Sequence, residues 1–222
     1  METEKAIQFV ELAQRTLANY DFIFEARIKK EDEPIFEVTQ LITGLIGIVV
    51  WPKEEYLDRE KLQWKTLNDN LSENFPRNYV RDQDKTDQLS TYYQLINNLR
   101  HGFAHGSFEF LSGQGVITDI RISNIHGSHN WQGTISIKHL EEIARHFVYI
   151  LNKSAVEKFM SDYGDTPIYR CSNCSFVWIG KEHKPEKCIY CRKDAQWQEQ
   201  KEHLSFADIN HRTAYKPPYL GK

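Results

Sequence analysis

An arginine and a histidine stand five residues apart in Arg100-His101-Gly102-Phe103-Ala104-His105-Gly106. Arginine stays charged at any accessible pH and offers a planar fork that matches phosphate oxygens, while histidine titrates near neutrality. Together they can hold and cleave a phosphodiester by proton transfer, without a metal. Five residues are about 140° around a helix and about 7.5 Å along it, so one helix cannot converge both groups. Either a neighbouring element completes the site or a second copy of the motif does, and the latter implies a dimer with facing helix ends. Gly106 suits the position just past a helix, which puts His105 in the last turn, where carbonyls favour a protonated imidazole. The same residue types also serve as a surface ion-pair partner and a helix-terminating histidine. His101 and His105 have the spacing of two metal ligands on one helix face, although no third ligand is near in sequence.

A second constellation holds all four cysteines: Cys171-x-x-Cys174, thirteen residues, then Cys188-x-x-Cys191. Four thiolates in two close pairs make a tetrahedral soft-ligand cage of the kind structural zinc requires. Paired CxxC motifs in a reducing compartment point to metal rather than disulfides. The flanking Tyr169-Arg170 and Phe176-Val177-Trp178 resemble rubredoxin-like zinc ribbons, in which aromatics cover a minimal core. Iron-binding forms of that family usually carry glycine directly after Cys174 and Cys191; serine and arginine stand there, which favours zinc. From Ile168 to Lys193 six basic residues face two glutamates. That excess suits RNA, a protein partner, or neutralisation of the anionic metal site.

The elements that must position these residues follow from periodicity. Residues 4–29 repeat apolar positions at helical spacing, and a second helix spans Ile35 to Val50, apolar on most sides and ended by Pro52. Gly44 and Gly47 within it predict close approach of another helix. A third helix covers 59–74, and a fourth, Asp84 to His105, carries Leu89, Tyr92, Leu95, Ile96, Leu99 and Phe103 on its apolar face. Alternation in 107–111 and 116–122 around Ser112-Gly113-Gln114-Gly115 reads as a β-hairpin, with a third short strand at Trp131 to Ile137. Helical spacing resumes from Lys138 to Met160, and 161–168 form a linker. No internal repeat or low-complexity tract is present.

A chain of 222 residues, 40% apolar and 13% aromatic, is folded rather than disordered. Its formal charge of -3 argues against indiscriminate nucleic-acid binding but not against a local basic groove. No secretory signal opens the sequence, and the longest apolar run, Leu41 to Trp51, is too short to span a bilayer. A cytoplasmic protein without membrane association is expected.

The Arg100 to Gly106 motif at the end of an internal bundle helix resembles the Arg-x(4 to 6)-His signature of HEPN domains, with a polar residue, His101, directly after the arginine. Glu37 to Gly47, with the apolar stretch to Pro52, is similar to the second helix of one prokaryotic HEPN branch, and the strand-turn-strand run Ser107 to Ile122 resembles the segment just after the motif in that branch. The likeness covers residues 4–160. With the cysteine pairs, the expected fold is mainly α, a HEPN-type helical bundle with a small antiparallel β-hairpin insertion followed by a small zinc-ribbon domain. The boundaries expected are 1–162 for the bundle, 163–198 for the ribbon and 199–222 for a tail. The resemblance further implies a homodimeric endoribonuclease that needs no catalytic metal and acts as a toxin or phage-defence effector, with RNA as substrate and an inhibitor or accessory protein as a further partner. Arg100 would hold the scissile phosphate, His105 would transfer protons and His101 would support the pair. Glu37 and Asn97 are supporting candidates. The competing reading is a non-catalytic HEPN dimerisation module whose ribbon binds a partner or nucleic acid.

Overall fold

The computed structural model describes residues 2–29, 37–50, 65–72, 77–83, 89–113, 116–126, 129–159, 168–174, 176–179 and 184–200. They contain five α-helices and seven strands: α1 (Glu2–Lys29), α2 (Glu37–Leu45), α3 (Lys65–Leu71), β1 (Val80–Arg81), α4 (Tyr92–Ala104), β2 (Phe108–Gly113), β3 (Val116–His126), β4 (His129–Ser136), α5 (Ile137–Phe159), β5 (Ile168–Cys171), β6 (Val177–Ile179) and β7 (Trp197–Gln200). A π-helical turn, Ile46–Val50, continues α2. The linker expected at 161–168 lies outside the described residues up to Ile168, as does the tail from 201 onward.

The expectation of a mainly α chain is overturned. Two antiparallel sheets, one of four strands and one of three, make it an α+β protein. The expected hairpin is the edge of a larger sheet ordered β1-β4-β3-β2. β3 is long enough to pair with β2 from Val116 to Ile122 and with β4 from Asp119 to His126, so it becomes a central strand. β1 is two residues long, and a pair that short shows no alternation to read.

The chain divides into two compact units, Ile23–Ala144 and a second composed of Met1–Phe22 with Arg145–Lys222. In the first, α4 packs on the π-helical turn and on β3. Its buried stripe is Tyr92, Leu95, Ile96, Leu99 and Phe103, and Leu45, Ile48, Ile120, Ile122 and Ile135 are buried in the same unit. α2 is less buried than its composition predicts, because Thr39, Thr43 and Gly47 form an exposed stripe. Among the described residues, a Cβ at Gly47 would meet nothing within 4 Å. In the second unit, Val10, Ala13, Gln14, Leu17 and Tyr20 line the buried face of α1, and Phe147, Val148, Leu151 and Ser154 that of α5. The same unit holds the three-stranded sheet β6-β5-β7.

Candidate active site and metal centre

α4 is fixed at both ends by its own sequence. Thr91 caps the start: its hydroxyl accepts from the Gln94 amide, and the Gln94 side chain accepts from the Thr91 amide. This reciprocal box moves the start to Tyr92, later than the Asp84 expected from periodicity. At the other end His105 is the cap residue and Gly106 takes φ +63°. The Gly106 amide donates to the Phe103 carbonyl at 3.3 Å and the Ser107 amide to the Gly102 carbonyl at 2.8 Å. Those two bonds form a Schellman motif, which needs a residue that tolerates the left-handed region.

The sequence-predicted trio sits on the last two turns. Arg100 and His101 are half-buried and His105 is exposed. Arg100 Nη2 lies 2.9 Å from His101 Nε2. A guanidinium can only donate, so Nε2 is the acceptor in that contact. The rings of His101 and His105 stack with centroids 5.8 Å apart and planes 18° apart. Arg100, His101 and His105 therefore form one contiguous run of side chains. Asn97 is half-buried one turn ahead of His101. Glu37 opens α2, and its side chain lies outside the described residues. Among the described residues, no third ligand atom joins the two histidines to make a metal site.

Two neighbours of the motif escape sequence reasoning. Asn124 on β3, 7% exposed, donates from Nδ2 to Asn98 Oδ1 on α4 at 2.6 Å. Asn124 Oδ1 finds no hydrogen-bond partner among the described residues. Asn98, His101 and His105 lie at i, i+3 and i+7, one stripe of α4. Gly102 lies against Ile122, where a Cβ would stand 2.2 Å from Cγ2. The pairing of residues 26 apart leaves no local signal, whereas a glycine inside a helix is a visible one.

The four cysteines converge. All are buried, and their sulfurs lie within 4.8 Å of one another. Cys171 and Cys191 Sγ are 4.0 Å apart, Cys174 and Cys188 Sγ 3.5 Å. A zinc–sulfur bond of about 2.3 Å gives a tetrahedral edge of about 3.8 Å, so the donor set fits zinc, and both separations are far beyond a disulfide of about 2.05 Å. Crowding makes the sulfurs share protons: hydrogen bonds from Cys174 and Cys188 hold the Cys171 thiol down to about 2, and the bond to Cys171 pushes Cys174 up. The second turn is closed by the Arg192 amide on the Cys188 carbonyl at 2.8 Å and the Cys188 amide on the Lys193 carbonyl at 2.9 Å. Arg192 takes φ +59°, so the residue after Cys191 adopts the conformation that favours glycine without being one.

An Arg/His helix end on an α+β unit, followed by a four-cysteine ribbon, defines the class. The model of the HEPN pEK499 p136 family matches residues 1–158, and the chain belongs to that family. The match ends ahead of the cysteine ribbon. No curated protein and no solved structure matches the chain. Among the described residues, no helix is long and apolar enough to cross a membrane.

Proposed function

We propose that this protein is a HEPN-type endoribonuclease that cleaves RNA by attack of the ribose 2′-hydroxyl, without a catalytic metal, at a composite site in a homodimer. The carrying observation is the contiguous Arg100–His101–His105 run at a capped helix end, with His105 exposed. In the proposed step the 2′-oxygen bonds to phosphorus as its proton passes to a base. The bond from phosphorus to the 5′-oxygen breaks as that oxygen receives a proton from an acid, leaving a 2′,3′-cyclic phosphate and a 5′-hydroxyl. Arg100 steadies the charge on the pentacovalent phosphate. His105 serves as general acid or base in that step. His101 orients Arg100. Asn97 and Glu37 are proposed as supports at the rim.

One helix cannot bring Arg100 and His105 together on one phosphate, so a second copy of α4 supplies the partner groups. The proposed division of labour is a HEPN domain at 1–162, a zinc ribbon at 163–198 and a tail at 199–222. The cellular role proposed is a cytoplasmic toxin or phage-defence effector held in check by an inhibitor or accessory protein.

The test incubates RNA and the matching DNA with wild type, Arg100→Ala and His105→Ala in EDTA. Wild type is expected to cut RNA only and to leave cyclic phosphate, with at least a hundredfold loss in each variant at unchanged fold and dimerisation. Wild type inert towards every RNA class, or His105→Ala as active as wild type, overturns the assignment in favour of a non-catalytic dimerisation module.

A further inference from the structure

The two cysteine turns are held unequally. Within the unit formed by residues 1–22 and 145–222, the second turn is gripped from outside the ribbon at three successive points. Arg145, on α5 and 3% exposed, donates to the Ile189 carbonyl, between Cys188 and Cys191. Tyr149, one turn further along α5, stacks on Tyr190, the other residue between those cysteines, with ring centroids 4.6 Å apart. Arg192, directly after Cys191, lies 3.7 Å from the Asp21 carboxylate of α1.

Arg145 is itself locked. Its two terminal nitrogens bind the two carboxylate oxygens of Asp21, Nη1 to Oδ2 at 3.1 Å and Nη2 to Oδ1. The Tyr20 ring lies beneath the guanidinium at 5.9 Å. A guanidinium is charged at every accessible pH, and its burial is tolerated only where its donors are met. The fork matches two carboxylate oxygens and a carbonyl at once, which an ammonium cannot do. With zinc bound, four thiolates leave the centre doubly negative, so the cations of Arg145 and Arg192 are also placed to offset that charge.

Among the described residues, the first turn has no such grip from α1 or α5. Ser172 and Asn173, between Cys171 and Cys174, are exposed and bond inside the ribbon, the Ser172 amide to the Gln196 carbonyl at 3.2 Å and Asn173 Nδ2 to the Asp194 carbonyl at 2.9 Å. Gln14 of α1 does reach the ribbon, but at the Val177 carbonyl of β6, beyond the turn.

We propose that Arg145 is a positioning residue of the metal centre, held by Asp21, and that the resulting asymmetry makes Cys171 and Cys174 the side that opens first. The Cys188/Cys191 half stays attached to α1 and α5 while the Cys171/Cys174 half swings away. Metal retention then depends on Asp21, an aspartate in the first helix of the chain.

The experiment monitors zinc leaving the full-length protein for a chromogenic chelator while a thiol-alkylating reagent traps each freed cysteine for peptide mapping. In wild type, Cys171 and Cys174 are expected to be labelled before Cys188 and Cys191. Asp21→Asn and Arg145→Lys are expected to release zinc at least tenfold faster and to abolish that order, and Asp21→Glu to restore most of it. Gln14→Leu loosens the ribbon at a different point and is expected to keep the order. Simultaneous labelling of all four cysteines in wild type overturns the proposal, and needs no variant to fold. Unchanged release in both Asp21→Asn and Arg145→Lys, or loss of order in Gln14→Leu to the same degree, also overturns it.

Discussion

Gly102 and Ile122 are in direct contact across α4 and β3: a methyl group on the glycine would stand 2.2 Å from Cγ2 of the isoleucine. The contact falls two residues after Arg100 and three before His105, so it sets the height of the motif above the sheet. Gly102→Ala is expected to destabilise the fold by about 1–3 kcal/mol through overpacking, despite the gain of about 1 kcal/mol in helix propensity. Ile122→Ala removes the obstructing methyl, so the double variant should cost less than the sum of the two singles. A double-mutant cycle by urea unfolding measures that coupling, and strict additivity would refute the contact.

Gly106 ends the same helix at φ +63°. Gly106→Ala is expected to cost about 1 kcal/mol, and Gly106→Asn less, because asparagine tolerates the left-handed region. Thermal melts of the three proteins give the order; alanine at or above asparagine would contradict the capping geometry.

The Asn98–Asn124 pair should show the asymmetry of buried amides. Asn98→Leu strands the Asn124 amide, already 7% exposed, at a cost of about 1–3 kcal/mol. Replacing both by leucine removes the stranded group, so the double variant is expected to be more stable than Asn98→Leu alone. Denaturant midpoints decide it.

Metal should bind one ion per chain. Cys188→Ser breaks the buried donor set and is expected to abolish zinc in elemental analysis and to lower stability by several kcal/mol. Full stability with no metal bound would remove the structural role of the ribbon.

His146 on α5 carries an acid sensitivity of its own. Burial, aided by the charge of Lys153, lowers its pKa to about 4 from 6.5. The unfolded chain therefore binds the proton first. Stability from this group is complete above about pH 6.5 and is lost as pH falls towards 4, on the order of 2–3 kcal/mol. His146→Gln should flatten the fall in melting temperature across that window. Metal loss at acid pH affects both proteins, so the difference between them isolates the imidazole, and parallel curves would reject it.

What was legible in the sequence was local. The helical spacing of α1 and α5, the glycine that closes α4 and the cysteine pairs each lie within a few residues of what they determine. The sheet was only partly legible, because β1 is too short to alternate and the double pairing of β3 is a long-range fact. The start of α4 was written as Thr91-x-x-Gln94, a capping box outweighed by the apolar Leu89 upstream. The Asp21–Arg145 pair spans 124 positions, and nothing local distinguishes that aspartate from a solvated one. For the same reason Asn97 drew notice in the sequence, while the structure ties its neighbour Asn98 to the sheet.

The unit that joins residues 1–22 to 145–222 also has a bearing on synthesis. Gln14 and Asp21 leave the ribosome long before Val177, Arg145 and Ile189 exist to receive them. At about 5–20 residues per second, Asp21 waits roughly 10–30 s for the last cysteine. During translation the Arg100 to His105 segment emerges while the first helix still has polar groups without their final partners. This half of the molecule is thus completed only once the last ribbon strand has been made.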